Sequence, residues 1–124
     1  MARILLVEDH DGIRDLVRTA IEAAAHKTDC VTTRAEAEHA LGRARYHLLI
    51  CNLRLPDGSG QDLIARAHEF GVPGVLMTGP AEDAGDDRTA GIPSAVRLRK
   101  PFRLEALYRA ITESLRSSCR GRSD

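Results

Sequence analysis

Apolar and polar residues along the chain follow two different periodicities. Short continuous apolar runs, RILLV at 3–7 and YHLLIC at 46–51, are typical of strands that are covered on both faces of a sheet. Similar β-prone runs are CVTT at 30–33, PGVLMT at 73–78 and AVRLR at 95–99. Between the runs, apolar residues recur three and four positions apart, as on one face of an amphipathic helix. The pattern predicts five strands that alternate with helices.

Local signals place the ends of several helices. Thr33 and Glu36 form a T-x-x-E capping box that opens the second helix. Ser59 and Asp62 form a weaker box in front of the third helix, and Gly71 is expected to end that helix. In the first helix, the spacing predicts an apolar face that consists of Ile13, Leu16, Val17, Ala20, Ile21 and Ala24.

The last two helices differ in how well the sequence supports them. The segment GPAEDAGDDRTAG at 79–91 contains a proline and three glycines but no large apolar residue, so a fourth helix there is expected to be short or mobile. The last helix is expected to begin with Pro101, because the first helical position needs no N–H donor. Its predicted buried residues are Leu104, Leu107, Tyr108, Ile111 and Leu115.

Five strands alternating with five helices predict an α/β fold, a doubly wound five-stranded parallel sheet with helices on both faces. A length of 124 residues fits one domain, assigned to 1–117, followed by a flexible tail at 118–124 that lacks an apolar face. Lys plus Arg and Asp plus Glu both total 18, which gives no overall field toward nucleic acid or a membrane. Three cysteines without metal-ligand spacing favour reduced thiols and a cytoplasmic location.

Side chains that can take part in binding or chemistry lie at the ends of the predicted strands. Glu8 and Asp9 follow the first strand, Asn52 the third, Thr78 ends the fourth, and Lys100 follows the fifth. Because ligands of parallel α/β sheets gather outside the carboxyl ends of the strands, these five residues are expected to meet at one edge. Two carboxylates, an amide, a hydroxyl and an ammonium group would then share one site.

Four segments, ILLVEDH, NLRLPDGSG, VLMTG and LRKPF, occur in an order and at separations that resemble the receiver domain of two-component response regulators. The resemblance covers residues 3 to 116 and implies the flavodoxin-like, CheY-like (βα)5 fold with strand order 2-1-3-4-5. It also implies that Glu8 and Asp9 correspond to an acidic pair that helps to bind Mg²⁺. Arg54 resembles the residue whose backbone carbonyl completes the metal shell. Asn52 occupies the position of the phosphoacceptor aspartate and of a further metal ligand.

The resemblance assigns the remaining positions in the same way. Thr78 corresponds to the hydroxyl that contacts the phosphoryl group, and Lys100 to the lysine that pairs with a phosphoryl oxygen. Lys100–Pro101 lies where receivers usually have a cis peptide bond. Arg97 stands at the switch position, where an aromatic residue is common, so the standard switch is not expected here.

Asn52 changes the expected chemistry, because an amide cannot form the acyl phosphate that phosphoryl transfer requires. The sequence therefore predicts a non-enzymatic signalling domain that is not phosphorylated, binds Mg²⁺ weakly or not at all, and acts by binding a histidine kinase or phosphotransfer protein. Docking is expected through the first helix, with Arg14, Arg18 and Glu22 facing outward. A homodimer through the fourth helix, fifth strand and fifth helix is a further expectation; nucleic-acid and membrane binding are not.

Two alternatives remain open at this point. The chain could be an ordinary phosphorylatable receiver in which the aspartate was replaced by engineering. A flavodoxin-like small-ligand binder shares the architecture, but its first loop must cradle phosphate, and the acidic EDHDG segment at 8–12 would repel it.

Overall fold

The computed structural model describes residues 2–79 and 96–121, with side chains as far as Arg116. Strands and helices alternate in chain order, with a short two-stranded hairpin inserted after the third strand. The elements are β1 (Arg3–Val7), α1 (Asp11–Ala23), β2 (Lys27–Val31), α2 (Arg34–Arg43), β3 (Leu48–Asn52), β4 (Arg54–Leu55), β5 (Gly58–Ser59), α3 (Gly60–Glu69), β6 (Gly74–Thr78), β7 (Val96–Arg99) and α4 (Leu104–Gly121).

Five of the strands form one parallel sheet in the order β2-β1-β3-β6-β7. β6 and β7 are the fourth and fifth strands of this sheet along the chain, so the predicted order 2-1-3-4-5 is confirmed. β4 and β5 form a separate antiparallel hairpin, in which Arg54 pairs with Ser59. All carboxyl ends of the main sheet consequently face the same way.

Successive strand residues point to opposite faces of the sheet and form two cores. On one face, Ile4 and Leu6 of β1 pack with α1 and α4; on the other, Leu5 and Val7 pack with α2 and α3. All four side chains are fully buried, and burial of each contributes about 1.5–3 kcal/mol. The continuous apolar run in the sequence thus reflects a strand that helices cover on both faces of the sheet.

The predicted helix signals agree with the structure at three positions. Thr33 caps α2, and the reciprocal Glu36 contact of the capping box is present. Ser59 caps α3, with its hydroxyl accepting a hydrogen bond from the Gln61 N–H at 3.1 Å. Gly71 follows the end of α3 with a φ of 77°, a left-handed conformation that glycine adopts without steric cost.

Other boundaries were predicted wrongly. β2 begins at Lys27 instead of at residue 30, because it is an edge strand whose partly exposed side chains allow polar residues and hide the apolar pattern. α4 begins at Leu104 instead of at Pro101. Leu104, predicted to be buried, and Leu16, predicted to lie on the apolar face of the first helix, are 46% and 55% exposed. Ala24, another predicted member of the first apolar face, is exposed as well.

Two predictions concern segments at the limits of the described chain. The fourth helix expected within 79–91 lies, except for Gly79, outside the described residues, and so does the part of the predicted dimer surface that this helix would form. The backbone of α4 continues through Gly121, into the segment 118–124 that was expected to be a tail. The domain limit at residue 117 stays a prediction. Within the described ranges, no helix combines the length and the hydropathy that a membrane span requires.

Candidate functional site

The site lies at the carboxyl edge of the sheet, where backbone hydrogen bonds hold the strand ends together. The Leu53 N–H donates to the Met77 carbonyl at 2.9 Å, and the Lys100 N–H donates to the Thr78 carbonyl at 2.6 Å. Gly60 supports the same edge, because a Cβ at this position would lie 1.8 Å from the Asn52 carbonyl oxygen. Only glycine therefore allows the first turn of α3 to approach the end of β3 so closely.

Three polar side chains at the carboxyl ends of β1, β3 and β7 form a closed hydrogen-bonded ring, called here the Glu8–Asn52–Lys100 triad. The Lys100 ammonium donates to Asn52 Oδ1 at 2.6 Å and to Glu8 Oε1 at 3.1 Å. The Asn52 Nδ2 amide donates to the other carboxylate oxygen, Glu8 Oε2. Each member contacts both others, so the arrangement satisfies carboxylate, amide and ammonium at once.

The triad is largely removed from water. Glu8 is 1% exposed and Asn52 is 7% exposed, while the Lys100 side chain is 23% exposed. A buried carboxylate is tolerated only when it is paired and hydrogen-bonded. Glu8 meets this condition through Lys100, Asn52 and the His10 N–H, which donates to Oε2 at 3.1 Å.

The structure does not bring all predicted site residues into the triad. Asp9 is exposed on the loop after β1. Thr78 is buried beside the triad, and its Oγ1 has no hydrogen-bond partner among residues 2–79 and 96–121. Arg54 is exposed on β4, and Arg97 lies half-buried on β7, opposite Leu76 of β6. The Lys100–Pro101 peptide bond is cis.

The donor set of the triad does not fit Mg²⁺ as it stands. Mg²⁺ requires several hard oxygen ligands in octahedral geometry. Both oxygens of Glu8 and the Oδ1 of Asn52 already accept hydrogen bonds from Lys100, Asn52 or His10. Across the described part of the chain, no cluster of three His, Cys, Asp or Glu side chains could hold a metal ion. The ammonium of Lys100 takes the place in which a cation would neutralise Glu8.

Sequence reasoning missed a second polar contact, in which the loop between β4 and β5 holds the start of α2. The Asp57 carboxylate accepts hydrogen bonds from the backbone N–H groups of Arg34 at 2.7 Å and Ala35 at 2.9 Å. The Ala35 and Arg34 N–H groups lower the pKa of Asp57 below its usual value, because they stabilise the charged form. Asp57 was visible in the LPDGSG segment, but nothing in the sequence paired it with residues 34 and 35.

His10 follows the acidic pair Glu8 and Asp9 and caps α1. Its Nδ1 accepts a hydrogen bond from the Ile13 N–H at 3.2 Å. Arg14, expected to face outward, is only 21% exposed, because it donates to Asp11 at 2.6 Å and to the Glu8 carbonyl at 3.4 Å. The first turn of α1 is therefore tied to the end of β1 that carries Glu8.

An apolar groove lies beside the triad, between α1 and the turn after β7. We call it the α1 groove. Leu16 at 55% exposure is its most prominent apolar side chain on the helix side, and Phe102, half-buried, forms part of the opposite side. Its lining consists of Ile13, Leu16, Gly79, Lys100, Pro101 and Phe102. Lys100 thus contributes both to the triad and to the wall of this groove.

The structure describes the side chains of two of the three cysteines that were predicted to be reduced thiols. Cys30 and Cys51 are free thiols. Cys51, next to Asn52, is fully buried in the core between the sheet and the helices α2 and α3, and burial raises the pKa of its thiol far above the usual range. It is an apolar core residue and takes no part in the triad. Cys119 lies beyond the last described side chain.

Comparison with known proteins agrees with this fold. The family model described as the response regulator receiver domain matches residues 4–112. The Response regulator protein PmrA of Pseudomonas aeruginosa is 35% identical over 117 residues, covering 89% of this chain and 52% of the relative. The Transcriptional regulatory protein BasR of Escherichia coli is 33% identical over 118 residues, covering 92% and 52%. The chain spans about half the length of these relatives.

Solved structures have the same architecture. A CheY-like response regulator receiver domain protein from Methanospirillum hungatei superimposes with a TM-score of 0.84 at 24% identity, covering 98% of both chains. The signal receiver domain of an HD domain-containing protein from Pseudomonas fluorescens gives a TM-score of 0.85 at 21% identity, covering 95% of this chain and 97% of that one. The family model matches most of the length of this chain. The chain therefore belongs to the response regulator receiver domain family.

Proposed function

We propose that this receiver domain signals by protein binding without being phosphorylated. The observation that carries the proposal is the bonding of Asn52. Its side-chain nitrogen donates to Glu8 and its side-chain oxygen accepts from Lys100. The position that the family uses to accept a phosphoryl group is therefore an amide with both polar atoms engaged.

The chemistry of the amide supports this proposal. Phosphoryl transfer to a receiver requires a carboxylate oxygen that attacks phosphorus, with positive charge on the migrating oxygens. The amide nitrogen of Asn52 has its lone pair delocalised, and its oxygen bears no full charge. Lys100, the residue expected to meet the phosphoryl group, instead contacts Asn52 and Glu8. Lys100 and Thr78 are present, but residue 52 lacks the carboxylate nucleophile with which they would act.

The same contacts also affect the binding of Mg²⁺. We propose that Mg²⁺ binds weakly or not at all, because the oxygens of Glu8 and Asn52 are occupied by donors from the chain itself. The Lys100 ammonium balances the Glu8 charge, a task that a divalent ion would otherwise perform. With neither metal nor phosphoryl group as an input, a change of state depends on a partner that binds two conformations with different affinity.

The proposed partner is a histidine kinase or phosphotransfer protein, the class that receiver domains bind. The α1 groove is the proposed contact surface. Leu16 projects from α1 with 55% exposure beside Phe102 and Pro101, and an exposed apolar cluster of this kind is typical of binding surfaces. Arg18, 45% exposed on the same helix, adds positive charge.

Binding to candidate histidine kinases, measured with purified proteins, tests the proposal. The chain should bind one of them with an affinity that is unchanged by acetyl phosphate and Mg²⁺, because neither alters the Glu8–Asn52–Lys100 triad. Affinity that rises or falls when acetyl phosphate is added would show that phosphoryl chemistry survives. The proposal concerns this domain alone; activities of the longer relatives are not part of it.

A further inference from the structure

The triad has a chemical capacity beyond charge balance. It brings a primary amine, a carboxamide and a carboxylic acid into mutual contact inside the fold. We propose that Lys100 and Asn52 join through an intramolecular isopeptide bond between Lys100 Nζ and Asn52 Cγ, with Glu8 as the proton carrier. The bond would connect the end of β7 to the end of β3.

The geometry brings the three reacting groups into contact. Lys100 Nζ lies 2.6 Å from Asn52 Oδ1, in contact with the carboxamide whose Cγ it must attack. Glu8 Oε1 lies 3.1 Å from the same nitrogen, and Glu8 Oε2 accepts a hydrogen bond from Asn52 Nδ2. One carboxylate therefore contacts both the nucleophile and the leaving group, which is the requirement for a single group that moves the proton between them.

The reaction balances without a further reactant. Glu8 takes a proton from the Lys100 ammonium, and the free amine attacks Asn52 Cγ to form a tetrahedral adduct. The C–Nδ2 bond then breaks as Nδ2 takes this proton from Glu8, and ammonia leaves. Glu8 takes the second proton of the attacking nitrogen. The products are a secondary amide between the two side chains, ammonia and the neutral Glu8 carboxylic acid, so that no unpaired charge is left inside the fold.

The surroundings favour this route over deamidation of Asn52. The usual attack on an asparagine carboxamide comes from the backbone nitrogen of the next residue, but the Leu53 N–H donates to the Met77 carbonyl at 2.9 Å. Water has little access, because Asn52 is 7% exposed and Glu8 is 1% exposed. Lys100, with 23% of its side chain exposed, borders the α1 groove and leaves a path by which ammonia can depart.

Such a bond would fix the ends of β3 and β7 to one another. Asn52 and Lys100 are 48 residues apart in the chain, so the bond would close a large loop and restrict the unfolded chain as a disulfide does. It would also remove the free amine that a phosphoryl group would meet. The cross-link is independent of the proposed docking to a kinase, because docking requires only the shape of the α1 groove.

Mass spectrometry of the purified chain, incubated in neutral buffer, tests the inference directly. The intact mass should fall by about 17 Da, the mass of one ammonia. Trypsin cuts after Arg45, Arg54, Arg99 and Arg103, so peptides 46–54 and 100–103 should be recovered as one joined species. Lys100→Arg and Glu8→Gln should keep their full mass, since one lacks the amine and the other the proton carrier.

The controls separate folding from chemistry. Wild-type chain that is kept unfolded in urea from the time of synthesis should keep its full mass, because only the fold brings the three residues together. Circular dichroism of the two variants establishes that they are folded. Folded wild-type chain that keeps its full mass and releases peptides 46–54 and 100–103 separately would overturn the inference, and so would an unslowed loss of ammonia in folded Glu8→Gln.

Discussion

Lys100 Nζ lies 2.6 Å from Asn52 Oδ1, a hydrogen bond that crosses from β7 to β3 over the end of the intervening strand β6. The two residues follow or end strands whose carboxyl ends share one edge of the sheet, so the fold itself enforces the contact. The same ammonium group also pairs with Glu8 at 3.1 Å. With an amide at residue 52, the positive charge at this edge of the sheet is supplied by the chain itself, through the Lys100 ammonium.

Removal of the Lys100 charge should destabilise the fold. In Lys100→Met, compared with wild-type chain of full mass in which Lys100 is still an ammonium, the carboxylate of Glu8, which is 1% exposed, loses its ionic partner, and we expect the free energy of unfolding to fall by about 3 kcal/mol. Arg18→Met is the matched control, because it breaks an exposed pair with Asp15 at 3.2 Å and should cost roughly 0.5 kcal/mol or less. Urea unfolding of both variants makes the comparison; equal effects would mean that the triad does not stabilise the fold.

Asn52→Asp should lower the stability of the metal-free fold and strengthen its binding of Mg²⁺. The substitution replaces the amide donor that faces Glu8 Oε2 with a second carboxylate oxygen. Two carboxylates about 4 Å apart repel by roughly 4 kcal/mol at an effective dielectric near 20, and Lys100 offsets part of this. We expect a net loss of about 1–2 kcal/mol without metal.

Thermal unfolding with and without Mg²⁺ checks this second prediction. The melting temperature of Asn52→Asp should rise clearly when Mg²⁺ is added, whereas that of the wild-type chain should hardly change, since its Glu8 and Asn52 oxygens are occupied. A wild-type chain that responds to Mg²⁺ as strongly as the variant would show that Lys100 does not exclude the metal.

The contact between Asp57 and α2 predicts a dependence on pH. Asp57 has a lowered pKa in the folded chain because the N–H groups of Ala35 and Arg34 stabilise its charged form. Its contribution to stability is therefore complete above the unfolded value of about 3.9 and is lost as pH falls through the lower folded value.

Asp57→Asn removes this titration and retains a hydrogen-bond acceptor. The stability advantage of the wild-type chain over Asp57→Asn should shrink as the pH falls from about 5 through the unfolded value of about 3.9 and on through the lower folded value. Glu113→Gln, on the exposed side of α4, serves as a control for general charge effects. An advantage that stays constant over this range, or that changes equally for the control, would contradict the role given to Asp57.

Docking through the α1 groove predicts a large effect at Leu16. Leu16→Asp should weaken binding to a cognate histidine kinase about tenfold or more, since each tenfold corresponds to about 1.4 kcal/mol and a buried leucine contributes more than that. Phe70→Asp is the matched control, because Phe70 at the end of α3 is 49% exposed, close to the 55% of Leu16. Similar losses for both variants would place the contact elsewhere or indicate a non-specific effect.

Charge reversal at Arg14 and Arg18 is a separate test of the same surface. Arg18 is exposed and free to contact a partner apart from its pair with Asp15, so Arg18→Glu should weaken binding to the kinase. Arg14→Glu is expected to act mainly on stability, because Arg14 is 21% exposed and donates to Asp11 and to the Glu8 carbonyl. Unchanged binding by Arg18→Glu would move the interface away from this face of α1.

The strand order was implied by the resemblance to receiver domains. The parallel sheet and the meeting of Glu8, Asn52 and Lys100 were predictable from the sequence pattern, because continuous apolar runs identify buried parallel strands and the ends of such strands converge. The start of β2 was not, because residues 27–29 lie on an edge strand where burial is partial and the polar side chains break the pattern. Local capping by Thr33 was visible within four residues of sequence, whereas the capping of α2 by Asp57 joins residues 22 and 23 positions apart.

Side-chain bonding was the least predictable feature. The sequence indicated that Leu16 shares the apolar periodicity of α1, yet periodicity cannot show that the neighbouring elements leave it uncovered. The positions of Glu8 and Lys100 were expected from the strand pattern, but their mutual contact, which occupies the oxygens expected to bind metal, depends on rotamers that only the folded chain fixes.

Exposure to acetyl phosphate and Mg²⁺, followed by intact-mass measurement, tests the central claim most directly. The wild-type chain should gain no acid-labile, hydroxylamine-sensitive phosphate, because the Asn52 amide cannot form an acyl phosphate. Asn52→Asp, which restores the carboxylate beside Thr78 and Lys100, should gain one. A phosphoryl adduct at residue 52 of a wild-type chain whose Asn52 has not been deamidated would contradict the account.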